Sequence, residues 1–166
     1  MEPLLKIATD RFGDLTAAEV KLLGSVNDGV PADCAGPAPE HNDPNQASHW
    51  DQDRTIRSSI IRWLCTDKNV VSLINSAGLC AAYARLVGEL NLVGVSVPFS
   101  FTLLKCAVLD GINLQDANLR NLNLSGTVCS YLIGEQLTVN GSLFLREGFK
   151  STGPVILVRS TINGDF

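Results

Sequence analysis

Two histidines and three aspartates lie close together within residues 35–53. They are His41, Asp43, His49, Asp51 and Asp53. Imidazole nitrogens and carboxylate oxygens of this kind are ligands for divalent metal ions. Their spacing matches no named metal site, so a solvated polar loop is the favoured interpretation. We assign no metal-ligating residue from the sequence.

Trp50 and three arginines near it are candidates for recognition. Trp50 follows His49 directly, although a tryptophan that enters a helix is more often a packing anchor than a ligand contact. Arg54, Arg57 and Arg62 have the chemistry to bind phosphate. Their acidic surroundings favour solvated charges and local ion pairs instead.

The sequence contains none of the common catalytic motifs. It lacks G-x-S-x-G, a Walker loop and G-x-G-x-x-G. Both histidines lie within residues 35–53, so a Ser-His-Asp triad would have to take its histidine from that one segment. Cys129 is expected to be a small core residue, and Cys106, at an outward corner, is expected to be the thiol that reacts. We therefore assign no catalytic or cofactor-binding residue, no metal and no cofactor, and favour a non-enzyme.

The elements that would position these residues follow a repeat of five residues from Val97 to Cys129. In each step an apolar or small residue stands two places before a mostly large apolar one. The pairs are Val97/Phe99, Thr102/Leu104, Ala107/Leu109, Ile112/Leu114, Ala117/Leu119, Leu122/Leu124 and Thr127/Cys129. A period of five fits neither a helix nor a flat strand. It fits a β-solenoid, in which the chain turns a corner every five residues and points the second member of each pair inward.

Two of these steps carry a family resemblance. Ala117–Asn121 and Leu122–Gly126 resemble the A-(D/N)-L-x-x signature of bacterial pentapeptide-repeat proteins. The resemblance implies a right-handed quadrilateral β-helix with four pentads per coil and both members of each pair inside. It covers about a fifth of the chain strongly and about half loosely. Ile112 and Leu122 replace the small residue of the family, which implies a wider or less regular coil.

A coil of four pentads predicts which residues stack. Residues 20 apart should lie at the strand spacing of about 4.8 Å. The predicted stacked pairs are Phe99 with Leu119, Leu104 with Leu124, and Leu109 with Cys129.

Beyond the pentads, glycine alternates with apolar residues, which indicates short strands with one buried face. Gly141, Gly153 and Gly164 are 12 and 11 residues apart, which predicts a coil of roughly 22 residues. Residues 79–166 are therefore predicted to form one irregular right-handed, quadrilateral-like parallel β-helix. Because the last repeat stops at Phe166 without capping residues, we expect a solenoid truncated at its C-terminal end.

Residues 1–78 are predicted to form an α-helical N-terminal cap that contains the polar loop 35–53. A cap of this kind would cover the open edge of the first coil. One helix is expected to begin after Asp53, and a short further turn is expected in residues 67–74. The helix expected after Asp53 has an apolar stripe that consists of Ile56, Ile60, Trp63 and Leu64.

Two earlier helices are expected in this cap. The first carries apolar residues at helical spacing and stops at Gly13. Thr16 and Glu19 have the spacing of a capping box at the start of the second. That helix is expected to end at Gly24.

Composition excludes several classes of protein. The chain has 166 residues, is 45% hydrophobic and 18% charged, and so suits a folded domain rather than a disordered one. Residues 81–166 carry six acidic and six basic residues, and this neutrality argues against nucleic acid as a partner and against DNA mimicry. Five cysteines without C-x-x-C spacing argue against a disulfide framework or a zinc ribbon.

Localisation is predicted from what the sequence lacks. No run of about 18 apolar residues is present, and the start lacks the basic and small residues of a secretory signal. A cytoplasmic protein is therefore predicted. Membrane association is expected only through parts of a longer chain.

Two classes of function remain. The favoured one is a non-enzymatic structural or protein-interaction module built on the solenoid, with an unidentified protein partner or an end-to-end homodimer. The alternative is a ligand-binding or hydrolytic protein with a site at the cap–solenoid junction that uses the His- and Asp-rich loop. A concave pocket there with converging His and Asp favours the alternative, and a dry apolar seam favours the module.

Overall fold

A computed structural model describes residues 2–166, which form a parallel β-solenoid of about four turns with helices at its N-terminal end. The predicted fold class, mainly β with a helical cap, is confirmed. The right-handed sense of the coil stays a prediction. None of the helices in these residues is long and apolar enough to cross a membrane.

Residues 2–71 contain four α-helices and three short 3₁₀ helices. The α-helices are α1 (Glu2–Phe12), α2 (Ala17–Asp28), α3 (Ser58–Thr66) and α4 (Lys68–Val71). The 3₁₀ helices are Pro39–His41, Pro44–His49 and Gln52–Arg54.

Sixteen strands are present in the described residues. They are β1 (Ala32–Asp33), β2 (Thr55–Arg57), β3 (Leu79–Ala82), β4 (Arg85–Val87), β5 (Leu90–Asn91), β6 (Ser96–Leu104), β7 (Ala107–Val108), β8 (Ile112–Asn113), β9 (Asn118–Asn123), β10 (Val128–Cys129), β11 (Leu132–Ile133), β12 (Thr138–Val139), β13 (Leu143–Phe144), β14 (Lys150–Ser151), β15 (Val155–Ile156) and β16 (Thr161–Ile162).

The strands pair in parallel as four ladders, one on each side of the coil. The first side is β2-β4-β7-β10-β14, and the second is β5-β8-β11-β15. The long strands β6 and β9 each turn a corner, so their N-terminal parts continue to β12 and β16 on the third side. Their C-terminal parts join β1, β3 and β13 on the fourth side. Four ladders per turn agree with the predicted quadrilateral cross-section.

The coils differ in length, and this changes the predicted stacking. Leu119 pairs with Val97 rather than with Phe99, because β6 contains a register shift between Val97 and Ser100. The predicted stack of Phe99 on Leu119 is therefore wrong. Further along the same two strands Thr102 pairs with Asn123, so the predicted stack of Leu104 on Leu124 is also displaced.

The predicted inward position of Leu109 is the clearest error that follows from the pentad pattern. Val108, not Leu109, pairs with Cys129. Leu109 lies in a turn, and its side chain is 44% exposed. A coil of four full pentads does occur where the repeat is most regular, between Ile112 and Leu132. The later coil from Cys129 to Ser151 is longer and has the length that the glycine spacing predicts.

The capping box at the start of α2 is confirmed, but the predicted end of the helix is wrong. Thr16 Oγ1 accepts from the Glu19 amide at 3.1 Å, and the Thr16 amide donates to Glu19 Oε2 at 3.0 Å. The helix continues through Gly24 to Asp28, and Gly29, whose φ is 76°, is its C-cap. A mid-helix glycine costs about 1 kcal/mol, which burial of the apolar face outweighs. That face includes Leu22, Leu23 and Val26.

The predicted start of α3 is also wrong. Ile56 belongs to strand β2, where it pairs with Leu86, and the helix begins at Ser58. The apolar stripe predicted from Ile56 to Leu64 is nevertheless buried. Residues 1–78 thus supply two strands, β1 and β2, as well as the helices. The helices and the coils share one continuous apolar core.

Candidate functional site

Residues 35–53 fold back onto the solenoid rather than forming an irregular loop. Asp43 Oδ1 accepts from the Asn45 amide at 2.9 Å, and Asp51 Oδ1 accepts from the Asp53 amide at 3.0 Å. Such short-range bonds shape the 3₁₀ turns. Trp50 is buried and packs with Ala47 and Ala107 of the solenoid. These contacts confirm that Trp50 is a packing anchor.

Arg54 links this segment to a corner of the solenoid. Its Nη1 donates to the His41 carbonyl at 2.8 Å and its Nη2 to Asn42 Oδ1 at 3.1 Å. Nε and Nη2 both donate to the Tyr83 carbonyl, at 3.3 and 3.0 Å. The guanidinium carbon lies 3.8 Å from the centroid of the Trp50 ring, which adds a cation–π contact. Arg54 therefore fixes the segment in place.

The Arg54 side chain is buried, and no carboxylate of residues 2–166 lies within 4.0 Å of its guanidinium nitrogens. Its side chain is only 9% exposed, so the expectation of a solvated or ion-paired arginine is wrong here. The one ion pair within 4.0 Å in residues 2–166 joins Arg57 to Glu19, and there the expectation holds. Burial lowers the pKa of Arg54, although the acidic groups of Cys34 and Asp51 act in the opposite direction. Within residues 2–166, the hydrogen-bond acceptors of its guanidinium are all neutral.

Arg85 is a second cation beside the same segment, and sequence reasoning did not single it out. It donates to the Ala47 carbonyl and to Thr55 Oγ1, both at 3.0 Å. Its Nε is buried and has no hydrogen-bond partner in the described part of the chain. Its place in β4, opposite Thr55 of β2, becomes evident only once the pairing of these strands is known.

A concave pocket of about 480 Å³ lies within this segment. Arg54 and Trp50 are its buried wall, and the other charged and polar side chains are exposed. The lining residues are Gly36, Pro37, Glu40, His41, Gln46, His49, Trp50, Asp51 and Arg54.

The pocket brings together three of the five residues first considered as metal ligands. His41, His49 and Asp51 line it, whereas Asp43 and Asp53 do not. Within residues 2–166, no three His, Cys, Asp or Glu side chains are placed to hold a metal ion. The arrangement therefore offers charge and hydrogen bonding rather than a metal cage. Beneath the helices, in contrast, the interface with the coils is apolar. The structure therefore has both the concave pocket expected of a ligand-binding protein and the apolar interface expected of an interaction module.

The C-terminal end of the solenoid is the second candidate surface. Strands β14, β15 and β16 are the last members of three ladders and have no further neighbour in the described residues. Val155 and Val158 are exposed there, and Phe166 is 75% exposed. A concavity of about 710 Å³ includes Phe166 and the residues around β13. We call β14, β15 and β16 the C-terminal edge.

Cys106 does not lie at an outward corner, so the prediction that it reacts is wrong. Its side chain is fully buried, and its Sγ donates to the Ala81 carbonyl at 3.5 Å. Burial raises its pKa to about 12. Cys129 is buried as predicted. The cause of the error is the longer coil, which turns position 106 inward.

We expect Cys80 to be alkylated before Cys106. Burial raises the pKa of both thiols, but Cys80 is only half-buried and is more accessible to reagent. Brief treatment of the native protein with iodoacetamide under mildly alkaline conditions, followed by peptide mass spectrometry, measures the order. The same reaction in urea should modify both equally. Equal rates in the native protein would contradict the burial of Cys106.

Comparisons with models of known protein families, with curated proteins and with solved structures give no match to this chain. Its function must therefore be inferred from its residues and their geometry.

Proposed function

We propose that this protein is a non-enzymatic interaction module that associates end to end with a second copy through the C-terminal edge. The observation that carries the proposal is the set of three parallel strands that have no outer neighbour in residues 2–166. Unpaired backbone groups on such strands are a template for another strand.

The side chains at this end suit a second copy. Val155 is 44% exposed in the edge strand β15, and Val158 follows it. Partly covered core residues lie behind them, including Leu157 and Ile162. Because the cross-section of one copy matches that of another, two edges can meet about a twofold axis in an isologous contact. Mixed charges, with Lys150 and Arg159 on the one hand and Asp165 on the other, add no strong repulsion.

We also infer a relation to bacterial pentapeptide-repeat proteins and a cytoplasmic location. The coil from Ile112 to Leu132 supports the relation, since its length is that of four pentads. Five free cysteines support a reducing compartment.

The proposal predicts a concentration-dependent dimer that one lysine weakens. Light scattering during size-exclusion chromatography of the whole chain should give a dimer mass that falls on dilution. Val155→Lys puts a charge into the edge and should raise the dissociation constant at least about tenfold, or about 1.4 kcal/mol. Val87→Lys is the control for a lysine at an exposed strand valine, since Val87 is 46% exposed in β4. Because Val155 stacks on Leu132 of the core, circular dichroism of both variants checks that the last coil stays folded.

Hydrogen exchange locates the contact. Protection of the Ile162 amide should increase with protein concentration in the wild type and not in Val155→Lys. The Thr161 amide already donates to the Leu137 carbonyl at 2.8 Å, so its protection should not depend on concentration. A monomer mass at every concentration would contradict the proposal. A Val155→Lys variant that dimerises as well as Val87→Lys would show that the contact lies elsewhere.

A further inference from the structure

The pocket of residues 36–54 has opposite charges at different depths. The buried wall carries the Arg54 guanidinium, whereas the carboxylates of Glu40 and Asp51 are exposed. Salt screens exposed charges more strongly than buried ones. An anionic group is therefore favoured at the buried wall, and a cationic group is favoured further out.

Arg54 has capacity for one more acceptor. Four of its five N–H groups donate to His41, Asn42 and Tyr83, and the remaining one, on Nη1, has no partner in the described residues. Since these bonds already fix the side chain, a ligand carboxylate would meet a preorganised donor. Hydrogen bonds between guanidinium and carboxylate are about twice as strong as neutral ones.

The remaining lining suits the body of a small organic molecule. Trp50 and Pro37 supply apolar surface, and the volume of about 480 Å³ lies in the usual range for small-molecule sites. Asp51 uses Oδ1 to accept from the Asp53 amide, which leaves Oδ2 for a ligand ammonium group.

We propose that this pocket binds a small zwitterion, an α-amino acid with an apolar side chain. Its carboxylate accepts from Nη1 of Arg54, and its ammonium group faces Asp51 and Glu40. The site is separate from the C-terminal edge, and the inference does not depend on dimer formation.

Three probes with one carbon skeleton test the two charges separately. They are L-phenylalanine, 3-phenylpropionate, which lacks the ammonium group, and phenethylamine, which lacks the carboxylate. Isothermal titration calorimetry with the whole chain should rank phenylalanine first. Phenylpropionate should bind about threefold more weakly, since exposed ion pairs contribute little. Phenethylamine should bind at least about tenfold more weakly, because the bond to the buried cation is lost.

Two aspartate variants make the test specific to the pocket. Asp51→Asn keeps the acceptor for the Asp53 amide but removes the negative charge. It should weaken phenylalanine about threefold and should not weaken phenylpropionate. Asp43→Asn is the matched control, since Asp43 accepts from the Asn45 amide in the same way but does not line the pocket. It should leave both affinities unchanged.

Gln46→Glu tests the sign of the charge without touching Arg54. Gln46 is exposed on the pocket lining, and a new carboxylate there should weaken phenylpropionate about threefold. Absence of phenylalanine binding, equal affinities for the three probes, or equal effects of Asp51→Asn and Asp43→Asn would each overturn the proposal.

Discussion

Replacing Leu119 by alanine is expected to lower the free energy of unfolding by about 3 kcal/mol, the middle of the range for a buried leucine. Leu119 is fully buried in β9 and lies between Val97 and Val139 of the neighbouring coils. Truncation removes apolar contacts and leaves a cavity that stacked coils cannot easily close. Urea unfolding followed by circular dichroism measures the change.

Leu109→Ala is the matched control for this prediction. Leu109 holds the same place in the pentad pattern as Leu119, but its side chain is 44% exposed. Its replacement should cost less than about 1 kcal/mol. Equal urea midpoints for the two variants would show that the assignment of inner and outer faces is wrong.

Replacing Glu19 by alanine is expected to cost about 3 kcal/mol at neutral pH, because the amides of Thr16 and Arg57 and the partly exposed guanidinium of Arg57 then lose the buried carboxylate that accepts from them. The Glu19 side chain is fully buried and accepts from Nε, Nη2 and the amide of Arg57 at 2.9, 3.0 and 2.9 Å. It also accepts from the Thr16 amide. These bonds join α2 to β2.

The loss of unfolding free energy caused by Glu19→Ala should depend on pH. Burial raises the pKa of Glu19, but hydrogen bonds from Arg57 and Thr16 and the charge of Arg57 outweigh burial, so the pKa is lowered from 4.5. A lowered pKa means that the carboxylate stabilises the folded state fully above the unfolded pKa of 4.5 and loses this effect as the pH falls through the folded pKa. The difference between wild type and Glu19→Ala should therefore shrink below about pH 4.5.

Urea midpoints of both proteins, measured from neutral pH down to about pH 3, follow this dependence. Glu40→Ala serves as the control, since Glu40 is exposed, and its replacement should change stability by less than about 0.5 kcal/mol. A difference between wild type and Glu19→Ala that stays constant or grows on acidification would contradict the role of the ionised carboxylate.

The type of fold was predictable from the sequence because the period of five residues is incompatible with helix or flat sheet. The register of the paired strands was not predictable. Small changes of coil length, such as the shift after Val97, leave the pattern of apolar residues almost unchanged. They move Leu109 outward and Cys106 inward, since each added residue turns the following side chains to the other face.

Prediction of the helical cap from the sequence was limited in a similar way. The capping box at Thr16 acts locally and was predictable, whereas the helix passes Gly24 because of tertiary burial. Ile56 has the spacing of a helical residue but pairs in a strand with Leu86, which follows only after α3 and α4. Spacing within one segment cannot reveal a partner at that distance.

The pocket was foreseen only in its location. The His- and Asp-rich segment does form a concave site, but its buried charge belongs to Arg54, which we expected to be solvated or ion-paired. The acceptors of Arg54 are mostly backbone carbonyls, at His41 and Tyr83. Carbonyls carry no signal in the sequence, so an arginine held by them resembles any surface arginine until the chain is folded.

The pairing distances along the solenoid also bear on how the chain folds. Strands within the coils pair with partners just one coil away, as Ile112 does with Leu132 and Val139 with Ile162. Such short loops close with a small entropic cost, whereas Ala32 must find Ala81 across the intervening helices and β2. The coils should therefore form first and propagate from neighbour to neighbour, and closure of the N-terminal segment should follow as the slowest step.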